Sequence, residues 1–106
     1  MKFNVMYTKT YLDHLNKLDP AAKRIITGWV NKNILSTENP RLFGKPLTGN
    51  LKGYWRYRIG DYRIIAEIKD KELVIIAIDV GHRRDIYKDN WFRNPERIAT
   101  FLTGVQ

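Results

Sequence analysis

The sequence points to an α+β fold: an antiparallel four-stranded sheet, two N-terminal helices packed on one of its faces, and a C-terminal helix. Three observations carry this expectation. A short alternating run opens the chain, two runs with helical spacing follow it, and three strand-like runs come in succession before the tail. Helices and strands grouped in blocks place helices on one face of an antiparallel sheet.

The elements follow in order. Phe3 to Thr8 carries apolar residues at 3, 5 and 7, the period of a strand. Lys9 to Leu18 carries them at 11, 12, 15 and 18, the spacing of an amphipathic helix. Asp19-Pro20 then starts a second helix. The carboxylate of Asp19 can accept from orphan N–H groups, and Pro20 suits the first helical turn. This helix sets Ile25, Ile26, Trp29, Val30 and Ile34 on one stripe and is predicted to end near Ser36, before Asn39-Pro40.

Residues 39–53 read as a loop, punctuated by Pro40, Gly44, Pro46, Gly49 and Gly53. Tyr54 to Ile59 alternates aromatic and basic residues, Gly60-Asp61 marks a tight turn, and Tyr62 to Ile68 returns. After the polar turn Lys69–Glu72, Leu73 to Val80 is almost wholly apolar, as a strand buried on both faces would be. In the tail, Asn94-Pro95-Glu96 predicts a helix start, Ile98, Phe101 and Leu102 its apolar side, and Gly104 its end. The 106 residues suit a single domain, residues 1–106, in which 90–106 form a C-terminal helical extension.

Composition narrows the function. The chain has no cysteine, which excludes disulfides, thiol catalysis and cysteine-based zinc sites. Its two histidines, His14 and His82, lie far apart in sequence with no carboxylate cluster beside either, so neither a metal nor a cofactor is expected. No apolar run approaches the roughly 20 residues of a membrane helix, and the opening residues are too short and polar for a signal peptide. A cytoplasmic protein without a membrane partner is the expectation.

The formal charge is +8, which attracts polyanions. Within residues 41–63, Arg41, Lys45, Lys52, Arg56, Arg58 and Arg63 face one acid, Asp61, a net +5. Tyr54, Arg56 and Arg58 share one face of their strand, and Trp55 and Tyr57 point to the core. Arg63 belongs to the same face of the next strand, opposite Arg58 or Arg56. Such a face can neutralise phosphates and stack bases. The plainer reading is a solvated sheet face with basic edge protection. A second cluster, Gly81-His82-Arg83-Arg84-Asp85-Ile86-Tyr87, follows the apolar strand, where a rigid element positions a loop.

The stretch from Leu51 to Ile65, with its Tyr54-Trp55-Arg56-Tyr57-Arg58 and Tyr62-Arg63 segments, resembles the central hairpin of RelE/ParE toxins. Ile78 to Tyr87 resembles their last strand and catalytic tail, and Lys45 to Leu51 fits their loop. The likeness covers about residues 3–88. It implies the toxin of a type II toxin–antitoxin system: a metal-independent endoribonuclease that enters the ribosomal A site and cuts messenger RNA. Its partners would be messenger, ribosome (16S rRNA) and an acidic or amphipathic antitoxin. Catalytic roles carry over to Arg56, Arg63, Arg83 and Tyr87. RNA or ribosome contacts carry over to Lys45, Lys52, Tyr54, Arg58, His82 and Arg84. A second lysine of some members would align near Tyr54, so that basic role is absent or falls to Lys52 or Arg58. The general base is left open between Tyr87, whose pKa a basic cluster would lower, and His82. His14, mid-helix, reads as structural. The competing functions are a ParE-like inhibitor of DNA gyrase with no nuclease chemistry and a non-toxic RNA- or ribosome-binding module.

Overall fold

The computed structural model describes residues 1–86 and the backbone of residues 101–103. Its elements are β1 (Asn4–Thr8), α1 (Lys9–Lys17), α2 (Pro20–Asn33), β2 (Lys45–Pro46), β3 (Trp55–Ile59), β4 (Tyr62–Lys69), β5 (Val74–His82) and β6 (Phe101–Thr103). A single 3₁₀ turn, Gly49–Leu51, interrupts the long loop.

The helix starts follow from side-chain chemistry. Thr8 ends β1 and caps α1: its hydroxyl donates to the Ile78 carbonyl at 2.6 Å and accepts from the Tyr11 amide at 3.0 Å. Asp19 caps α2 through the Ala22 amide, with Pro20 in the first turn. Helix α2 buries Ile26 and Val30, and Ile34, its C-cap, continues the buried row. Ile25, placed on that stripe by sequence, is 61% exposed, because it sits about 100° round the helix from the buried row. Ile26, Val30, Ile34 and Tyr11 pack on Val5, Tyr57, Ile64, Ala66, Ile75, Ala77 and Val80, the helix-covered side of the sheet.

The sheet is mixed and has six strands in the order β2-β3-β4-β5-β1-β6. This corrects the expected antiparallel four-stranded sheet. The meander β3–β4–β5 is antiparallel as predicted, but β1 runs parallel to β5, with Asn4 opposite Val74 and Tyr7 opposite Ala77. A parallel pair needs a long crossover, and the chain between β1 and β5 supplies one. The two-residue β2 was hidden inside a proline- and glycine-rich loop.

The tail departs further. Phe101 and Leu102 lie not in a helix but in β6, antiparallel to β1, with Phe101 opposite Thr8. There β6 supplies ladder partners to an edge that would otherwise be open. The remainder of the predicted C-terminal helix, from Asn94 to residue 100 and at Gly104, lies outside the described residues. No helix among the described residues is long and apolar enough to cross a membrane.

A candidate nucleic-acid interface on the open sheet face

The hairpin β3–β4 sets the geometry. Gly60 and Asp61 are its two turn residues, and Gly60 takes φ +58°, which glycine adopts without a Cβ clash. Positive φ at the first central position alone suits the II′ turn, which follows the strand twist. Ile59 then pairs with Tyr62, Arg58 with Arg63, Tyr57 with Ile64, and Arg56 with Ile65. Directly opposed residues share a face. Tyr57 and Ile64 are buried against the helices, so Arg56, Arg58, Arg63 and Ile65 stand on the face without helices.

Two basic rows result. Lys45 of β2 pairs with Arg56, and Arg56 with Ile65. One step along, Arg58 pairs with Arg63, and Arg63 with Gly81, which contributes no side chain. Tyr54, half-buried on the same face, packs with Met6, Val74, Ile76 and Ile78. Burial, and secondarily Glu67, pushes its phenol above the ordinary tyrosine value. The face therefore joins an aromatic and aliphatic patch to four cationic side chains.

The arginines are not equivalent. Arg58 is exposed. Arg63 is only 8% exposed, and one terminal nitrogen donates to the carbonyls of Gly60 at 3.0 Å and Tyr62 at 3.1 Å, bracing the turn. Arg56 is half-buried; its Nε is shut off from solvent and no acceptor among the described residues satisfies it. A buried donor left unmet is costly, so Arg56 is held in place at an energetic penalty.

The tail cluster is tied to the same hairpin. The Arg83 amide donates to the Asp61 carbonyl at 2.7 Å, so the chain leaving β5 crosses beside the β3–β4 turn. The Ile86 amide bonds back to the His82 carbonyl at 3.0 Å, closing one helical turn. Arg83 and Arg84 are exposed on it. Tyr87, the predicted tail tyrosine, lies outside the described residues. Lys52 is exposed on the loop after the 3₁₀ turn.

His82 sits elsewhere. It pairs with Tyr62, and the two rings meet edge to face at 5.6 Å. Tyr62 packs on the helix-side core, so His82 belongs to that side of the sheet, away from Arg58 and Arg63. There it lines a cavity with His14 and Asp79. His14 Nδ1 lies 2.6 Å from a carboxylate oxygen of Asp79, which is 2% exposed. Sequence reasoning left His14 without a carboxylate neighbour and missed this pair. The signal was available: Asp79 is the one acid within an otherwise apolar strand, and a buried carboxylate requires a partner. Among the described residues no three His, Cys, Asp or Glu side chains gather closely enough to hold a metal ion.

The comparisons agree with this fold. A model of the ParE toxin family of type II toxin–antitoxin systems matches residues 5–87. Toxin RelG of Mycobacterium tuberculosis is 31% identical over 88 residues, covering 83% of this chain and 99% of RelG. The crystal structure of the toxin–antitoxin complex RelBE2 from the same organism aligns with a TM-score of 0.71 at 28% identity, over 80% of this chain and 95% of its counterpart. The archaeal RelE–RelB complex from Pyrococcus horikoshii OT3 aligns with a TM-score of 0.59 at 29% identity, over 80% and 99% of the two chains.

Proposed function

The chain belongs to the RelE/ParE toxin superfamily of type II toxin–antitoxin systems, and from that premise we propose that it is a ribosome-dependent endoribonuclease that cleaves messenger RNA in the A site. The observation that carries this reading is the shared face of Arg56, Arg58 and Arg63 on adjacent strands, on the side of the sheet without helices.

The reaction is an in-line transfer at phosphorus. The 2′-OH attacks, the 5′-oxygen of the following nucleotide leaves, and the products are a 2′,3′-cyclic phosphate and a 5′-hydroxyl. Negative charge grows on the non-bridging oxygens, and forked, permanently charged guanidinium groups meet it without reorganising. Arg56 and Arg63 bind the reacting phosphate. Arg58 and Lys45 hold a neighbouring phosphate in the same strand of RNA, and Tyr54 offers a ring to a base. Arg83 closes the site from the tail, and Tyr87 exchanges the proton of the 2′-OH or of the leaving oxygen. Arginine and tyrosine titrate far above neutrality, so this set is a weak acid–base pair. The ribosome compensates by holding the messenger in the attacking geometry.

The partner in the resting cell is a RelB-like antitoxin with an acidic or amphipathic segment, in keeping with the antitoxin complexes of the relatives from M. tuberculosis and P. horikoshii. Opposite charge on a +8 toxin would speed capture. The second reading, inhibition of DNA gyrase, is favoured by the family model that matches, which is that of ParE toxins. Pulse expression with primer extension separates the two. Cuts in codon register establish the nuclease; intact messenger with halted replication establishes the gyrase inhibitor.

A further inference from the structure

Two acids lie within the described strands, Glu67 in β4 and Asp79 in β5. Asp79 meets His14 of α1 at 2.6 Å and so serves the helix side of the sheet. Glu67 opposes Ile76, which packs with Met6, Tyr54, Val74 and Ile78 on the helix-free face. Directly opposed residues share a face. Among the described strand residues, Glu67 is therefore the one carboxylate on the face that carries Lys45, Arg56, Arg58 and Arg63.

Register sets its place there. Arg56 opposes Ile65, so Arg63 and Glu67, two residues to either side of Ile65, are its diagonal neighbours on β4. Diagonal neighbours stand about 7–8 Å apart, within reach of long side chains. Arg63 lies toward the hairpin turn, where the Arg83 amide meets the Asp61 carbonyl, and Glu67 lies away from it. Tyr54 precedes Trp55, the partner of Ala66, and so lies across from Glu67. Burial first, and the Glu67 charge second, hold the Tyr54 phenol above its ordinary value. Lys69, two residues along the strand, is 3.7 Å from the Glu67 carboxylate, and the two side chains are 44% and 39% exposed. A solvated pair of that length is weak, so it does not commit the carboxylate.

Cleavage on this face needs a base that arginine and tyrosine supply poorly. Arginine stays protonated at neutral pH and tyrosine almost always does, whereas an accessible carboxylate is ionised. In-line attack also places base and acid on opposite sides of phosphorus. We propose that Glu67 is the general base of messenger cleavage, set across Arg56 from the turn and the tail. This inference rests on the nuclease reading and assigns one step within it. The Glu67 carboxylate takes the proton of the 2′-OH as the 2′-oxygen bonds to phosphorus. The bond from phosphorus to the 5′-oxygen breaks, and that oxygen takes a proton from the tail side, the role left to Tyr87. Glu67 then returns its proton to water.

The test compares the native full chain with Glu67→Gln, Glu67→Asp and Lys69→Gln on programmed ribosomes in single turnover, with urea unfolding as the check on folding. Glu67→Gln should cut about 10²–10⁴-fold more slowly, the scale of losing a general base, with ribosome affinity and stability retained. Glu67→Asp should recover part of the rate, and Lys69→Gln should cut at close to the native rate. A messenger with sulfur in place of the scissile 5′-oxygen has a leaving group that needs no proton. The Glu67→Gln defect should persist on it, because the 2′-OH still lacks its base. A defect that vanishes with sulfur would move Glu67 to the leaving group and overturn the proposal. So would a defect in Lys69→Gln as large as that in Glu67→Gln, which would reduce Glu67 to an ion-pair partner. A native chain that cuts messenger no faster than Glu67→Gln refutes this inference alone. A native chain that leaves messenger intact refutes the nuclease reading, and the inference with it.

Discussion

Arg58 and Arg63 oppose each other directly across the β3–β4 hairpin, two like charges on the helix-free face, with Gly81 completing the row. Like charges in direct opposition weaken a hairpin by roughly 0.2–1 kcal/mol. The two residues carry that repulsion differently. Arg63 is buried and turned to the Gly60 and Tyr62 carbonyls, whereas Arg58 is exposed.

Arg58→Gln should therefore leave urea stability within about 0.5 kcal/mol of the native chain, as surface substitutions do. Arg63→Ala should lose about 1–3 kcal/mol, because two buried carbonyl contacts disappear. On programmed ribosomes, both should slow cleavage; a slower Arg58→Gln at full stability assigns its loss to RNA contact rather than to folding.

Gly44→Ala tests the placement of the first basic row. Gly44 has φ +85°, and an added Cβ would overlap the Arg56 carbonyl oxygen and lie 2.6 Å from Trp55 Nε1. The backbone must move, breaking the pairing of Lys45 with Arg56. Unfolding should occur at least about 2 kcal/mol earlier than in the native chain, the scale of overpacking combined with strain. Cleavage should fall with it. An unchanged melting curve would mean that the loop is not clamped onto β3.

Much of this arrangement was legible in the chain. Alternation in Tyr54–Ile59 separates Arg56 and Arg58 from Trp55 and Tyr57 because a strand has a period of two, and Asp19-Pro20 marks α2 by capping chemistry alone. The parallel pairing of β1 with β5 was not legible, since edge choice is settled by long-range packing that no local pattern encodes. The same holds for β6, where Phe101 and Leu102 fit a helix face as well as a strand. Arg63 looked like a solvent-facing ligand because its sequence neighbours show charge but not the turn carbonyls it reaches. The pairing of His14 with Asp79 joins residues 65 apart, so only the lone acid in an apolar strand hinted at it.

Alkaline stability gives an independent check of the core. Burial pushes the phenols of Tyr11 and Tyr57 far above their ordinary value near 10. Their folded pKa values exceed the unfolded ones, so their contribution is complete below pH of about 10 and is lost as pH rises toward the folded values. Chemical denaturation between pH 8 and 11.5 should show stability falling above about 10. Tyr11→Phe should flatten that fall. Tyr57→Phe should flatten it too, but should also lose about 1–2 kcal/mol at pH 7, since the Tyr57 hydroxyl donates to the buried Pro40 carbonyl at 2.6 Å.

Salt dependence reads the number of phosphates gripped. If Arg56 and Arg63 grip one phosphate and Lys45 and Arg58 a second, single-stranded RNA binding should fall with log salt at a slope of roughly −1.4, about −0.7 per phosphate. Arg58→Gln should reduce the slope by up to about 0.7 without altering sequence preference. A slope unmoved by the substitution would take Arg58 off the RNA.

The most direct measurement is end-group analysis of messenger cut by the purified protein on programmed ribosomes, native against Arg56→Gln. The native chain should leave 2′,3′-cyclic phosphate and 5′-hydroxyl ends, and Arg56→Gln should slow the cut about 10²–10³-fold, the scale of removing one transition-state donor. Ends bearing 5′-phosphate, or an Arg56→Gln chain that cuts at the native rate, would contradict a reaction carried by arginines converging on one phosphodiester.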